Sequence, residues 1–200
     1  MKLFFAAGFS SLADHIALLE AGLPFEIVEV DIETKRLADG GAYLDVNPKG
    51  QVPALRFDDG EVLTENVAIL AWTADRAPPL APPGEWGRYR LLEMLSFIAS
   101  EIHKRFPIYM SLPEEAGQPI ADDIVRWFAF VAPRLERGYL FGDAFSVADA
   151  YLFVMARGAL ELGLPLDEAF RDYVARIEAR PAVQAALSRE AAPNQASGSR

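Results

Sequence analysis

The stretch Asn47–Leu55 reads NPKGQVPAL, and Leu63–Ile69 downstream reads LTENVAI. Pro53 cannot donate to a β-ladder, so a proline at the head of a strand leaves the backbone polar groups of Val52 free to pair with an extended ligand. A cis Val52–Pro53 bond suits that pairing best, although most X-Pro bonds are trans. The stretch therefore predicts a strand edge that binds a peptide.

A hairpin and a helix start follow the proline strand. Asp58-Asp59-Gly60 is typical of a tight turn between two short strands, and the helical run after Thr64 then opens beside Val52. The N-terminus of a helix offers unpaired N–H groups to a carboxylate. We therefore expect a peptide-binding edge beside an anion-binding helix start.

Composition and charge limit the possible classes of protein. The chain has 200 residues, 52% of them hydrophobic, which suffices for the core of one medium domain or two small ones. A net charge of −10 argues against nucleic acid and anionic membrane as partners, because both need a basic face. No apolar run approaches a membrane span and no signal peptide is visible, so we expect a cytoplasmic protein.

The chain contains no cysteine and only two histidines, His15 and His103. The absence of cysteine excludes disulfides, thiolate metal ligands and a protein thiol nucleophile. Two histidines are too few for a histidine-rich metal site, so no metal is predicted. If a thiol reacts here, the ligand must bring it.

Hydrophobic periodicity divides the chain into two halves. In the first half we expect, in order, a strand at 2–6, a helix at 12–21, a strand at 25–30, a loop-rich stretch at 35–45, and a β-β-α unit that ends near residue 75. This order predicts an α/β, thioredoxin-like domain over 1–77.

The second half reads as an all-α bundle. The proline-rich segment 78–85 predicts a stiff linker, helical periodicity predicts a helical domain over 86–190, and the polar end predicts a flexible tail over 191–200. Ser146 and Asp149 have the spacing of a capping box, which stabilises a helix start and has no catalytic role.

Taken together, the two halves resemble the cytosolic glutathione S-transferases, most closely the bacterial beta class, over nearly the whole chain. The motifs that carry the resemblance are KLF at 2–4, SLA at 11–13 with His15, Lys35, NPKGQVPAL at 47–55, LTE at 63–65, LLE at 91–93, EIHK at 101–104 and SxADAYLF at 146–153. The resemblance implies a homodimeric detoxification enzyme that adds the glutathione thiolate to small hydrophobic electrophiles.

The resemblance also implies residues that hold glutathione. Val52 pairs its backbone with the cysteinyl unit, Glu65 and Asn66 take the γ-glutamyl end, and Lys35 holds the glycyl carboxylate. Lys35 is otherwise a solvated charge, and Glu65 a first-turn residue favoured by the helix dipole. Asn66 departs from the small or hydroxyl residue usual in relatives, so its side chain either bonds or crowds the carboxylate. Further glutathione contacts implied are Gln51, Pro53 and Lys104, with Ser96, Ser100 and Glu101 from the partner subunit.

Two departures bear on the thiolate. Phe5 stands where many relatives outside the beta class place a tyrosine, and Ser10 stands where beta-class members commonly place a cysteine. Without that tyrosine and cysteine, the remaining way to form the thiolate is a hydrogen bond from the hydroxyl of Ser10 or Ser11 at the start of the first helix. Either serine could instead cap the helix. Lowering the pKa of a free thiol by two units takes about 2.7 kcal/mol, which one or two charge-assisted hydrogen bonds supply.

The helical half adds a histidine and an apolar wall. Ser96, Ser100 and His103 fall at i, i+4 and i+7, a polar stripe that is either a solvated face or part of the active cleft. The resemblance implies that His103 and Lys104 approach the sulfur, with His103 as a catalytic residue. His15, one turn beyond Ser11, is expected to be a core or hydrogen-bonding residue, with a catalytic role as the alternative. The electrophile pocket implied by the resemblance consists of Phe5, Phe9, Phe106 and Tyr109, with Pro107 beside them, although aromatics at such positions also form cores.

Two other functions remain open at this stage. One is a non-catalytic protein of the same fold that binds glutathione or a hydrophobic ligand, since Phe5, Ser10 and Asn66 all differ from common active-site choices. The other is a glutathione-dependent isomerase or dehalogenase. The sequence does not name the electrophile, because that pocket is built from variable loops.

Overall fold

A computed structural model describes residues 1–191. The strands are β1 (Lys2–Phe5), β2 (Glu26–Asp31), β3 (Arg36–Leu37), β4 (Ala54–Arg56) and β5 (Val62–Thr64). The α-helices are α1 (Ser11–Glu20), α2 (Asn66–Arg76), α3 (Gly87–Phe97), α4 (Arg105–Ser111), α5 (Glu114–Val131), α6 (Val147–Glu161), α7 (Glu168–Glu178) and α8 (Pro181–Ala191).

The strands form one mixed sheet in the order β3-β2-β1-β4-β5. β1 and β2 are parallel, which requires the crossover that α1 provides, and β4 pairs antiparallel with both β1 and β5. The β-α-β and β-β-α units confirm the predicted thioredoxin-like fold. The short edge strand β3 lies inside the stretch that was predicted to be loop-rich.

Alternation along β1 builds a core on each side of the sheet. Leu3 packs with Leu18 of α1 and Ile69 of α2, whereas Phe4 packs on the opposite face with Val30 and Tyr43. The helices therefore cover one face. The opposite face is covered by the segment between β3 and β4.

The larger core belongs to the helical half and includes α1. Leu12 and Ile16 of α1 are buried in one cluster with residues of α3, α5, α6, α7 and α8. The start of α1 consequently lies where the sheet meets the bundle. The predicted linker falls between α2 and α3, with a 3-10 turn at Pro78–Leu80. The predicted tail lies outside the described residues, except for Ala191, which ends α8.

One helix differs from the expectation of regular spacing. Between α3 and α4 the backbone forms a π-helical segment, Ile98–His103, in which Lys104 N donates to Ala99 O at 3.2 Å. The extra residue in this turn interrupts the predicted stripe: Ser96 and Ser100 are exposed, whereas His103 turns into the protein. π-segments of this kind are frequent at functional sites.

The predicted capping box is present at the start of α6. Asp149 accepts from Ser146 N at 2.8 Å, and its other oxygen accepts from Leu140 N at 2.9 Å and from the Tyr173 hydroxyl at 3.1 Å. Burial raises the pKa of this carboxyl, and these donors oppose the rise. No helix within residues 1–191 is long and apolar enough to cross a membrane.

Candidate functional site

A cavity of about 660 Å³, called the cleft below, opens where the sheet meets the helical half. Its walls from the first half include Ser10, Val52 and Glu65, and its walls from the second half include His103 and Tyr151. Because the two halves contribute side chains from distant parts of the chain, the complete cleft exists only in the folded protein.

The Val52 edge has the free backbone that its sequence predicts. The Val52–Pro53 bond is cis, and within residues 1–191 neither the N–H nor the C=O of Val52 makes a hydrogen bond. The Tyr43 hydroxyl and Asn47 Nδ2 both donate to Gln51 O at 2.7 Å and so fix the turn in front of Val52. An extended ligand can therefore pair with Val52 on a rigid edge.

The start of α2 supplies an anion-binding group of amides. Glu65 is the N-cap residue with φ of +78°, an uncommon conformation for a residue other than glycine. The first helical bonds run from the amides of Ala68 and Ile69 to Glu65 O, so the amides of Asn66 and Val67 precede them and face no backbone acceptor among the described residues. Such amides together with the helix dipole attract a carboxylate.

The side chain of Asn66 turns away from this group and under the cleft. Its Nδ2 donates to Ser10 O at 3.0 Å and to Asp14 Oδ2 at 2.6 Å, and its Oδ1 accepts from the Ser10 hydroxyl at 3.2 Å. Asn66 therefore neither crowds a ligand carboxylate nor offers its side chain to it, since both ends of the amide are engaged. It ties the start of α1 to the start of α2.

Asp14 is the buried acid beneath this link. It is fully buried, its Oδ1 has no partner among the described residues, and burial raises the pKa of its carboxyl well above the ordinary value. The Asn66 bond opposes the rise only in part. The neutral form is thereby favoured below the cleft.

The two serines at the start of α1 have different surroundings. Ser10 is the N-cap residue of α1, but its side chain makes no capping hydrogen bond. Ser10 lines the cleft, but its hydroxyl already donates to Asn66. Ser11 is fully buried, where its hydroxyl donates to Ala6 O at 3.3 Å and accepts from Ala6 N at 3.2 Å. Side-chain capping, which the sequence left open as the alternative role of either serine, is therefore not observed, and Ser11 is buried and does not line the cleft.

His103 and Tyr151 meet across the cleft wall. Nδ1 of His103 lies 2.7 Å from the Tyr151 hydroxyl, and the rings are nearly perpendicular at 79°. Burial lowers the pKa of His103, and burial raises that of Tyr151, with Asp14 and Glu65 adding to the rise. Tyr151 was missed by the sequence reasoning, although it lies within the SxADAYLF pattern.

Lysines surround the polar end of the cleft. Lys35 and Lys104, which were predicted to contact glutathione, line it, and Lys49, which was not predicted, lines it too. Lys35 Nζ donates to Gly50 O at 2.8 Å, and Lys49 Nζ pairs with the Glu65 carboxylate. These cations suit a ligand with more than one carboxylate. The described residues contain no cluster of acidic or histidine side chains that could hold a metal ion.

Several predicted site residues lie elsewhere. Phe9 and Pro107 line the cleft, whereas Phe5 and Phe106 are core side chains that are only 4% and 7% exposed. Tyr109 packs near Gly117 and lines a separate groove. The electrophile pocket predicted from these aromatics is therefore wrong for three of its four members, because the sequence pattern does not separate a cleft aromatic from a core aromatic.

The residues predicted to reach a partner subunit also lie outside the cleft. Ser96 and Ser100 are exposed, and Glu101 pairs with Arg105 at 3.2 Å. His15 is buried as expected, with Nδ1 2.9 Å from Glu190 Oε1.

Comparison with known proteins identifies the family. Residues 14–76 match the profile of the glutathione S-transferase N-terminal domain. The chain is 43% identical over 198 residues to the glutathione S-transferase GstA of Escherichia coli O157:H7, covering 95% of this chain and 98% of that one. The chain belongs to the glutathione S-transferase family.

Solved structures agree with this assignment. A sphingomonad glutathione S-transferase complexed with glutathione is 44% identical with a TM-score of 0.85, covering 95% of this chain and 98% of that chain. A beta-class glutathione S-transferase of Sphingomonas chungbukensis is 40% identical with a TM-score of 0.85, covering 96% and 99%. The chain is thus a bacterial beta-class glutathione S-transferase, with glutathione as its co-substrate.

Proposed function

We propose that glutathione binds in the cleft with its cysteinyl backbone along Val52 and its γ-glutamyl end at the start of α2. The observation that carries the proposal is the free backbone of Val52 beside the free amides of Asn66 and Val67. Glu65 takes the ligand's ammonium group, while Gln51 and Lys35, with Lys104, surround its glycyl carboxylate. This arrangement matches each charged end of the tripeptide with the opposite charge.

We propose further that the start of α1 and His103 stabilise the glutathione thiolate together. Ser10 N has no acceptor among the described residues, so this amide is available at the positive end of the helix, where Ser10 lines the cleft. The Ser10 hydroxyl must leave Asn66 to donate to sulfur, whereas Nε2 of His103 has no competing partner in residues 1–191. The hydroxyl and amide of Ser10 hold one side of the sulfur, and His103 holds the other.

The experiment that tests the serine compares Ser10→Ala with Ser11→Ala. The thiolate absorbance of bound glutathione, followed against pH, reports the thiol pKa. We expect Ser10→Ala to raise that pKa by about one unit, since a charge-assisted hydrogen bond contributes at least 1.4 kcal/mol or so. Ser11→Ala is the matched control and should lower the melting temperature while leaving the thiol pKa unchanged. An unchanged pKa in both variants would show that the Ser10 hydroxyl is not needed and would leave the Ser10 amide opposite His103.

We propose that the electrophiles are small and hydrophobic and rest against Phe9, Ala99 and Pro107. Phe9 lines the cleft and is 48% exposed, which leaves a large apolar ring accessible to a ligand there. Phe9→Ala should raise KM for a hydrophobic electrophile and leave KM for glutathione unchanged. A panel of electrophiles assayed with this variant tests the pocket, and equal changes in both KM values would contradict it.

We also propose a cytoplasmic homodimer that serves in detoxification. Ser96, Ser100 and Glu101 lie on the outer side of the α3 and π-helical segment, where they can approach a partner subunit. Sedimentation should report about twice the chain mass of 22.0 kDa. A monomer at tens of micromolar protein that retains full activity would remove these three residues from the site.

A further inference from the structure

The hydrogen bond between Tyr151 and His103 bears on which ring nitrogen of His103 carries the proton. The Tyr151 side chain is almost fully buried, at 1% exposure, and its hydroxyl lies 2.7 Å from Nδ1 of His103. A buried hydroxyl needs an acceptor for its hydrogen. Among the described residues, Nδ1 of His103 is the one acceptor within hydrogen-bonding distance of that hydroxyl.

The direction of this bond determines the tautomer of the ring. If the tyrosine hydroxyl donates, Nδ1 must be bare, and the proton of the neutral imidazole then sits on Nε2. The alternative, Nδ1–H donating to the phenol oxygen, would leave the tyrosine hydrogen without a protein acceptor in residues 1–191. The bond therefore favours the Nε2–H form.

The second nitrogen is open to the cleft. Nε2 of His103 has no hydrogen-bond partner in the described part of the chain, yet it is not among the buried polar atoms that lack one. Since His103 lines the cleft, this nitrogen is accessible from it. An Nε2–H group there can donate to a thiolate, whereas a bare Nε2 would place a lone pair against it.

We propose that Tyr151 is a positioning residue for the transferase reaction, which holds His103 in the Nε2–H tautomer with that proton directed into the cleft. The inference rests on the proposed role of His103 beside the sulfur. The inference concerns which nitrogen of His103 is protonated in the protein without glutathione. It can therefore be tested separately from the role of His103 in catalysis.

The surroundings of the pair keep this arrangement stable near neutral pH. Burial lowers the pKa of His103, which favours the neutral ring. Burial raises the pKa of Tyr151, with the carboxyls of Asp14 and Glu65 adding to the rise, so the phenol stays protonated and remains a donor. Lys104 is the neighbouring cation along the chain.

The direct test is nitrogen-15 NMR of the wild-type protein labelled at histidine. The chain has two histidines, so the His103 signals are assigned by their loss in His103→Gln. We expect a bare Nδ1 and a protonated Nε2 at neutral pH. A protonated Nδ1 would overturn the proposal, whatever the activity of the enzyme.

The functional test is a double-mutant cycle of Tyr151→Phe and His103→Gln. In the wild-type background, Tyr151→Phe should reduce the thiolate fraction of bound glutathione about threefold to tenfold, because the donor to a charged acceptor is no longer fixed. In the His103→Gln background, it should change the thiol pKa no further. An equal effect in both backgrounds would show that Tyr151 acts without His103 and would overturn the proposal.

Tyr173→Phe is the matched control for loss of a buried hydroxyl. Tyr173 is also fully buried and its hydroxyl bonds Asp149 at 3.1 Å, on the side of α6 that packs on α7. This variant should lower the melting temperature but leave the His103 spectrum and the thiol pKa unchanged. If Tyr173→Phe shifted both as Tyr151→Phe does, the effect would be one of packing and the proposal would be wrong.

Discussion

Both histidines of the chain make a hydrogen bond through Nδ1, but their surroundings differ. Nδ1 of His15 lies 2.9 Å from a Glu190 carboxylate oxygen, and Nδ1 of His103 lies 2.7 Å from the Tyr151 hydroxyl. The difference is at Nε2. In His15 this nitrogen is buried in the core, whereas in His103 it is accessible from the cleft. Exposure of the second nitrogen, rather than the presence of a first partner, separates a structural histidine from one that can meet a ligand.

The partners of His15 explain its structural role. Its ring packs edge-on against Phe25 at 5.5 Å between centroids and near Phe5, while Glu190 belongs to α8 at the other end of the described chain. His15 therefore links α1 to α8. The N-cap residue of α1, Ser10, lines the cleft. Loss of this contact should act on stability, whereas loss of His103 should act on rate.

The largest expected effect is that of His15→Ala on stability. The substitution opens a cavity in the core and leaves the buried Glu190 carboxyl without its partner, which together cost about 3 kcal/mol. Denaturant unfolding measures the loss, and kcat per folded molecule should stay at the wild-type value. Glu190→Gln is the matched control, because glutamine keeps an acceptor for the ring and should cost less. A fall in kcat at unchanged stability would break the comparison.

The next effect is that of His103→Ala on catalysis. If Nε2–H donates to the thiolate, its removal should lower kcat/KM by about tenfold to a hundredfold, since such a bond contributes about 1.5 to 3 kcal/mol. The melting temperature should change less than in His15→Ala, because His103 lines the cleft and is only partly buried, whereas His15 is fully buried. Steady-state kinetics with glutathione and one electrophile measure the effect. Wild-type kcat/KM in this variant would remove His103 from the mechanism.

Local signals in the sequence were enough to predict the strand edge and the helix start. Pro53, the Asp58-Asp59-Gly60 turn and the helical run after Thr64 each act over a few residues, so the backbone geometry around Val52 follows from short-range rules. The serine and aspartate of the capping box were predictable for the same reason. The strand edge and the helix start are also the parts of the proposed site that offer backbone groups rather than side chains.

Contacts between distant side chains were not predictable in this way. The hydrogen bond from Asn66 to Asp14 joins residues that are 52 positions apart in the sequence. The bond between His103 and Tyr151 spans 48 positions. The π-helical segment that turns His103 inward breaks a spacing of 3.6 residues, which is the assumption behind the predicted polar stripe. The sequence also does not show that Phe106 of α4 is buried in the core while Phe9, in the turn before α1, lines the cleft, so only the packed structure separates these two aromatics.

A smaller effect concerns the buried acid next to His15. The folded-state pKa of Asp14 is raised by burial above its unfolded value near 3.9, so its contribution to stability is complete below that value and is lost as pH rises through the folded pKa. Asp14→Asn keeps the shape without the charge. From pH 4 to pH 8, the stability of the variant should therefore improve relative to wild type. Asp172→Asn, at an exposed carboxyl, is the control, and parallel curves for wild type and Asp14→Asn would contradict the shift.

The smallest effect is the reverse pH dependence at the second histidine. Burial lowers the folded-state pKa of His103 below its unfolded value of about 6.5, so the stability of the neutral ring is present above that pH and is lost as pH falls through the folded pKa. The glutamine in His103→Gln cannot be protonated, so this variant does not lose stability in this way as pH falls. Between pH 7.5 and pH 5 the variant should therefore gain stability relative to wild type, in the direction opposite to Asp14→Asn. Urea unfolding at both pH values measures the difference. A gain toward high pH instead would mean that His103 is charged in the folded protein, and a charged ring, protonated on both nitrogens, could not accept the hydrogen of Tyr151.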